Sequence, residues 1–201
     1  VYFDRINAYV RMREAMNRAD FAEAARQADV MVETVSRMGN TALLQDAGPW
    51  GGSRSGAGLA KVARELCTWT GGTKGKLIAA LPEVASFRTD PAGDGVVGRW
   101  YREDPGGEWQ DLSMTSAWES QGIVTPEGRS YNGVAWYRVN VDVAKLPERP
   151  ARLLVPELAG SGVWAWCNGR FAGHTAKDLD NPLSVGLGDL LVQGSNLFVL
   201  R

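Results

Sequence analysis

Histidine and cysteine are scarce in this chain: its 201 residues hold one histidine, His174, and two cysteines, Cys67 and Cys167. A single histidine excludes a multi-histidine metal centre, and the cysteines lack the short ligand spacing of a zinc site. No nucleophile-elbow motif is present to support a Ser-His-Asp triad. The cysteines fall in different halves of the chain. A disulfide between them is one reading, and two buried free thiols is the preferred one, because a free cysteine packs as a small apolar side chain. Excess charge is also missing. The 22 basic and 23 acidic residues are interspersed and leave a net charge of −1, so there is no basic stripe of the kind nucleic-acid binding requires. No apolar run reaches the ~18 residues of a membrane-spanning helix. Neither nucleic acid nor membrane is therefore expected as a partner. The chain begins Val-Tyr-Phe without methionine and stops at Arg201 inside a strand-like pattern. A piece of a longer protein is the expectation, and the lack of a signal peptide then says nothing about compartment.

What the chain has in quantity is tryptophan. Six of its eight tryptophans lie between Trp100 and Trp166, which suits a β-rich core first and sugar stacking second. The first eighty or so residues read differently. Phe3, Ile6, Val10 and Met16 recur at helical spacing, predicting a helix over Tyr2 to Arg18. Asp20-Phe-Ala-Glu23 has the capping-box pattern and opens a second helix, Phe21 to Met38. The apolar face of that helix would be Ala24, Ala25, Ala28, Met31, Val32 and Val35, and Gly39-Asn40 would stop it. Thr41 to Gly58 reads as loop, and Leu59 to Trp69 as a third helix with Leu59, Val62, Ala63 and Leu66 inward. A further turn or two is expected over Lys76 to Ala80.

From Leu81-Pro82 the pattern changes to short strands with frequent turn signals, as in a β-sandwich. Ala85 to Thr89, Val97 to Tyr101, Trp109 to Met114 and the Trp118 segment follow at close spacing. Val134 to Val143 alternates with period two and predicts a strand whose odd-numbered face is buried, with Tyr137, Val139 and Val141 inside. Val163-Trp-Ala-Trp-Cys-Asn-Gly169-Arg-Phe-Ala predicts a hairpin, since both positions of an Asn-Gly turn want positive φ. Gly194 to Val199 closes the series as another strand.

Five pieces in order carry a family resemblance: Trp118-Glu-Ser-Gln-Gly122, Gly133-Val-Ala-Trp-Tyr-Arg138, Val163-Trp-Ala-Trp-Cys-Asn-Gly169, Ala172-Gly-His174 and Gly194-Ser-Asn-Leu-Phe-Val199. Together they resemble the sugar-binding jelly roll of family-two glycoside hydrolases of β-galactosidase and β-glucuronidase type, a galactose-binding-like β-sandwich. Cys167 departs from that pattern, which usually has a small or β-branched residue there. The resemblance covers the second half of the chain. It implies an α+β, multi-module chain: a helical segment over residues 1–82, then a galactose-binding-like antiparallel β-sandwich over residues 83–201, cut inside or near its last strands. It also implies a larger, bacterial, secreted or periplasmic parent protein whose catalytic glutamates sit in a separate barrel domain.

The residues themselves offer few rival chemistries. Gly52-Ser-Arg-Ser-Gly56-Ala-Gly58 has a nucleotide-turn spacing, but no buried strand precedes it, and a plain loop is the reading. Carboxylates are plentiful yet sit in hydrophilic turns, so catalysis is assigned to no residue here. Sugar contact needs aromatic platforms with Asn, Asp or His for hydroxyls. The candidates are Trp118, Tyr131, Asn132, Trp164, His174, Asp178, Asp180 and Asn181, expected on loops at the sandwich ends. No cofactor is expected, apart from a structural calcium at the Asp90 and Asp94 loop. The expected role is non-catalytic: weak glycan binding, or packing against the parent's other domains. The alternatives are a purely structural sandwich without ligand and a module that completes a neighbouring active site.

Overall fold

The computed structural model describes residues 2–38, 56–71, 74–102, 106–155, 162–176 and 183–201. The chain divides into two compact units: Val1–Leu77 with Val155–Leu158 and Asp178–Pro182, and Ile78–Leu154 with Ala159–Lys177 and Leu183–Arg201. Among the described residues the first unit holds three helices, α1 (Tyr2–Asn17), α2 (Phe21–Met38) and α3 (Gly56–Thr70). Their seam is made chiefly of alanines and methionines. Ala8, Met12, Ala15 and Met16 of α1 meet Ala24, Ala28 and Met31 of α2, and Ala60, Val62, Ala63 and Leu66 of α3 are buried in the same unit. Alanines at i, i+4 and i+7 let helix backbones approach closely, and that packing holds short helices together.

The face predicted for α1 is therefore corrected. Phe3 is 78% exposed, and Ile6 and Val10 are exposed too. These side chains lie on the side of α1 away from the alanine–methionine seam. Val32 of α2 is likewise exposed. The capping box forms by half: the Glu23 amide donates to Asp20 Oδ1 at 3.1 Å. The Glu23 carboxylate accepts from Gln27 Nε2 at 2.8 Å, while the Asp20 amide bonds the Ala15 carbonyl at 2.9 Å. Gly56 to Gly58 belong to α3, not to a loop, and the rest of the glycine-rich stretch lies outside the described residues. No helical turn forms over Lys76 to Ala80. Lys76 instead bridges back to Gly71.

The second unit is built on an antiparallel sheet of six strands in the order β2-β1-β3-β8-β5-β6, with a separate two-stranded sheet, β4-β7. The strands are β1 (Val84–Thr89), β2 (Gln110–Ser113), β3 (Ala135–Val143), β4 (Arg152–Val155), β5 (Gly162–Cys167), β6 (Arg170–Ala176), β7 (Leu183–Gly186) and β8 (Gly194–Leu200). Holding both helices and an antiparallel sheet, the chain is α+β. β3 is the central member. Ala135, Val139, Val141 and Val143 are buried on its odd face with Tyr137 half-buried, as the alternation requires. Trp136, on the even face, is fully buried as well, so the strand is covered on both sides at its N-terminal end.

Two segments differ from the strands expected. Val97 to Tyr101 runs through consecutive turns, with Arg99 at φ 54°, and seats Trp100 in the core. The Trp118 segment forms a single 3-10 turn, Glu119–Gln121.

Candidate functional site

The hairpin β5–β6 turns at Asn168 and Gly169, with φ of 50° and 75°. That is the primed turn the right-handed strand twist favours. The turn is then locked to the closing strand. Asn168 Nδ2 donates to Asn196 Oδ1 at 2.9 Å, and the Leu197 amide donates to Asn168 Oδ1 at 2.9 Å. Asn196 is fully buried and satisfies both ends of its amide: Oδ1 also accepts from the Val192 amide, and Nδ2 donates to the Val192 and Gly194 carbonyls, each at 2.8 Å. Two of the motif pieces thus meet as one hydrogen-bonded network.

Within the hairpin a β-bulge decides which side chains share a face. Trp166 pairs with Phe171 and Ala165 with Gly173, so Ala172 is the extra residue. Residues three apart on a regular strand point to opposite faces. The bulge brings Phe171 and His174 to the same face, their rings 6.3 Å apart. Gly173 sits at φ 152°, and a Cβ there would come within 2.8 Å of Val185, so the bulge and the close pass of β7 both select glycine.

On that face Trp164 lies 5.9 Å from His174, 5.8 Å from Phe171 and 6.1 Å from Trp166, ring to ring. Trp164 is 41% exposed and Phe171 51%, and His174 is exposed. Arg201 continues β8 opposite Trp164, with two reciprocal backbone hydrogen bonds of 2.9 Å. Its guanidinium lies 5.4 Å from the Trp164 ring and 5.8 Å from the Trp136 ring. Inward from this patch the aromatics are buried and continuous. Trp166 stacks on Trp136 at 5.2 Å and on Tyr101 at 5.3 Å, and Trp100 joins Trp136 to Trp109. This patch is therefore the exposed end of a buried aromatic layer.

The other aromatic candidates lie on the opposite face. Trp118 and Tyr131 pack on Phe87, Leu112, Ile123 and Ala135 with Tyr137. The Trp118 indole donates to Tyr137 Oη at 2.5 Å, and Tyr131 Oη donates to the Val134 carbonyl at 2.7 Å. Burial raises the titration of both phenols above the usual 10.0. Asn132 is exposed beside Tyr131. The structure thus brings Trp164 and His174 together on strands and sets Trp118, Tyr131 and Asn132 apart from them. Asp178, Asp180 and Asn181 lie outside the described residues. Phe171 and Arg201 were not on the candidate list. The bulge that turns Phe171 toward His174, and the register that sets Arg201 against Trp164, are features of strand pairing.

Asp90 is the one buried carboxylate among the described residues. Oδ1 accepts from the Asp94 amide at 2.8 Å, and Oδ2 accepts from the Gly95 amide at 3.1 Å and Trp136 Nε1 at 2.9 Å. Both oxygens thus face N–H donors, which repel a cation, so the expected calcium loop is corrected to an anchor for Trp136. Among the described residues no three His, Cys, Asp or Glu side chains gather where a metal could sit. Both cysteines are free thiols. The surface pair Arg170–Asp189, 2.9 Å apart, holds the Asp189 carboxyl below the usual carboxylate range. That is the opposite of what a glycosidase general acid needs. An open cleft of about 540 Å³ lies at Phe87, Arg88, Thr89, Glu108 and Gln110; it shares no residue with the aromatic patch.

These observations can be set beside proteins of known structure. A β-glucuronidase from an uncultured Clostridium sp. matches 61% of this chain at 16% identity, with a TM-score of 0.50. A β-glucuronidase from Ruminococcus gnavus, in complex with an N1-substituted uronic isofagomine, matches 61% at 17% identity and TM-score 0.52. The chain shares a fold with part of these enzymes. It spans about one-fifth of their length, 21% in each case. No family model matches the sequence, and no curated protein does.

Proposed function

We propose that this chain is a non-catalytic, carbohydrate-associated piece of a larger glycoside-hydrolase-like protein. Its sheet unit would be a galactose-binding-like jelly roll, and Trp164, Phe171 and His174 would form its sugar platform. The single observation that carries this reading is the exposure of the Trp164 and Phe171 rings at the end of a buried aromatic layer. A flat indole held rigid from below loses little entropy when a pyranose stacks on it, and His174 beside it offers a polar group to the hydroxyls. Asp178, Asp180 and Asn181 follow β6 directly in sequence and remain the proposed hydroxyl partners. Trp118 and Tyr131, whose polar atoms are spent within the protein, are read as packing.

A second reading has its own support: the shared fold amounts to one-fifth of the neighbours' chains. On that reading the same rings would pack against another domain of the parent. Affinity electrophoresis of the 201-residue chain through gels containing soluble polysaccharides separates the two. Retention by at least one glycan, lost in Phe171→Ala without a change in melting temperature, is the expected result. No retention by any glycan would favour the packing surface.

A further inference from the structure

The aromatic patch is small, and its limits are set by strand pairing. Trp164, Phe171 and His174 form a triangle with sides of 5.8, 5.9 and 6.3 Å between ring centres, about the breadth of one sugar ring. Trp164 and His174 are a direct cross-strand pair, and Phe171 lies diagonally from Trp164 across the bulge. The next pair on that face in one direction is Gly162 with Ala176, and neither residue type carries a ring. In the other direction Trp166 is only 4% exposed and has no free face. Toward β8 the Arg201 guanidinium lies 5.4 Å from the Trp164 ring and occupies that flank. The three rings also share no plane. Trp164 is inclined 59° to Phe171 and 49° to His174, while Phe171 and His174 lie 25° apart. A rigid flat surface laid on the Trp164 face therefore cannot lie flat on the other two.

Resting on the sugar-platform reading, we infer that this face holds one sugar unit of a dissolved glycan at a time. It neither adheres to the flat face of an insoluble polysaccharide nor tracks an extended chain. Tracking a polymer takes aromatic faces repeated along it, as in the channels that stack successive bases of a single strand. Here the aromatic series stops after one triangle. Adhesion to a crystalline face takes coplanar rings, because stacking is lost where faces cannot be brought parallel. One pyranose resting on Trp164 meets neither obstacle, since it stacks on a single ring and turns its edge to Phe171 and His174. So small a contact leaves little surplus over the cost of association, which sets a Kd of about 1 mM.

The test is isothermal titration of the 201-residue chain with β-1,4-linked gluco-, galacto- and xylo-oligosaccharides, each series running from the monosaccharide to the hexasaccharide. Pelleting with microcrystalline cellulose and with chitin forms a second arm. In a series that binds, affinity should rise by no more than about tenfold from monosaccharide to hexasaccharide, close to the statistical gain from equivalent units on one chain. Both solids should leave the protein in the supernatant, and Trp164→Ala should abolish the oligosaccharide binding. A rise above about tenfold overturns the single-unit inference, and pelleting with either solid overturns the exclusion of flat faces. Both of those results leave the platform standing. Binding that survives Trp164→Ala overturns the inference by placing the sugar elsewhere. Binding to no oligosaccharide and neither solid removes the platform and the inference together. The length series and the pelleting use the wild-type chain alone, so they hold even if Trp164→Ala does not fold.

Discussion

Two aromatic groups on opposite faces of one sheet, built from similar residues, have different surroundings. Around Trp118, the indole N–H and the Tyr131 hydroxyl end on acceptors within the protein, and the rings rest on Phe87 and Ala135. Around Trp164, the ring faces solvent, its neighbours Phe171 and His174 are exposed, and the Arg201 side chain has an unfilled donor. The lesson is that residue type marks an aromatic as able to bind, while the fate of its polar atoms and its free face decides whether it has anything left to bind with. A closed group contributes to folding, and an open one is where the proposed glycan contact would lie.

If that division is right, substitutions should sort by side. The largest loss belongs to Trp136→Ala, which removes a fully buried indole and strips Asp90 Oδ2 of a donor. About 4 kcal/mol of stability is expected by denaturant titration. A loss below about 1 kcal/mol would show that the aromatic layer is not the support described here.

Next is Asn196→Ala. It removes the acceptor of the Val192 amide and of one Asn168 Nδ2 proton, and the donor to the Val192 and Gly194 carbonyls, at a buried position, for an expected cost of about 2–3 kcal/mol. Gly169→Val should cost about 1–3 kcal/mol, because φ 75° strains a β-branched residue. A denaturant midpoint within error of wild type would refute the primed turn.

Smaller still is an alkaline effect on the closed side. Burial pushes the Cys167 thiol from 9.0 to about 11, with Arg170 pulling weakly the other way. In that interval the folded state keeps a proton the unfolded chain has lost. Stability therefore falls as pH rises from about 9 to about 11. Tyr137, raised by burial, adds a loss of the same sign above 10. Thermal midpoints across that range should decline less steeply in Cys167→Ala. An unchanged slope would assign the decline to other groups.

Much of the sheet unit was legible because a strand with one buried side writes period two into its sequence, as Ala135 to Val143 does, and because Asn168-Gly169 admits few other turns. The helical unit was legible in its elements but not in its faces. Phe3, Ile6 and Val10 are aromatic or β-branched and strongly apolar, yet alanines and methionines make the helix seam, so a reading that starts from the most apolar side chains picks the wrong face. Val97 to Tyr101 looks like a strand by composition, and the positive φ of Arg99 that turns it carries no composition signal. Trp164 and His174 were legible as candidates from type alone. Phe171 and Arg201 were not, since one needs the bulge at Ala165 and Trp166 and the other the pairing of Arg201 with Trp164.

The most direct test places one tryptophan from each side in the same assay: Trp118→Phe and Trp164→Ala, each measured for melting temperature and for retention on a polysaccharide gel that retains wild type. Trp118→Phe removes the hydrogen bond to Tyr137 and should lower stability by about 1 kcal/mol with retention intact. Trp164→Ala should abolish retention with the melting temperature nearly unchanged. If Trp164→Ala instead lowers the melting temperature and keeps retention, or Trp118→Phe loses retention without loss of stability, the division into a closed and an open side is contradicted.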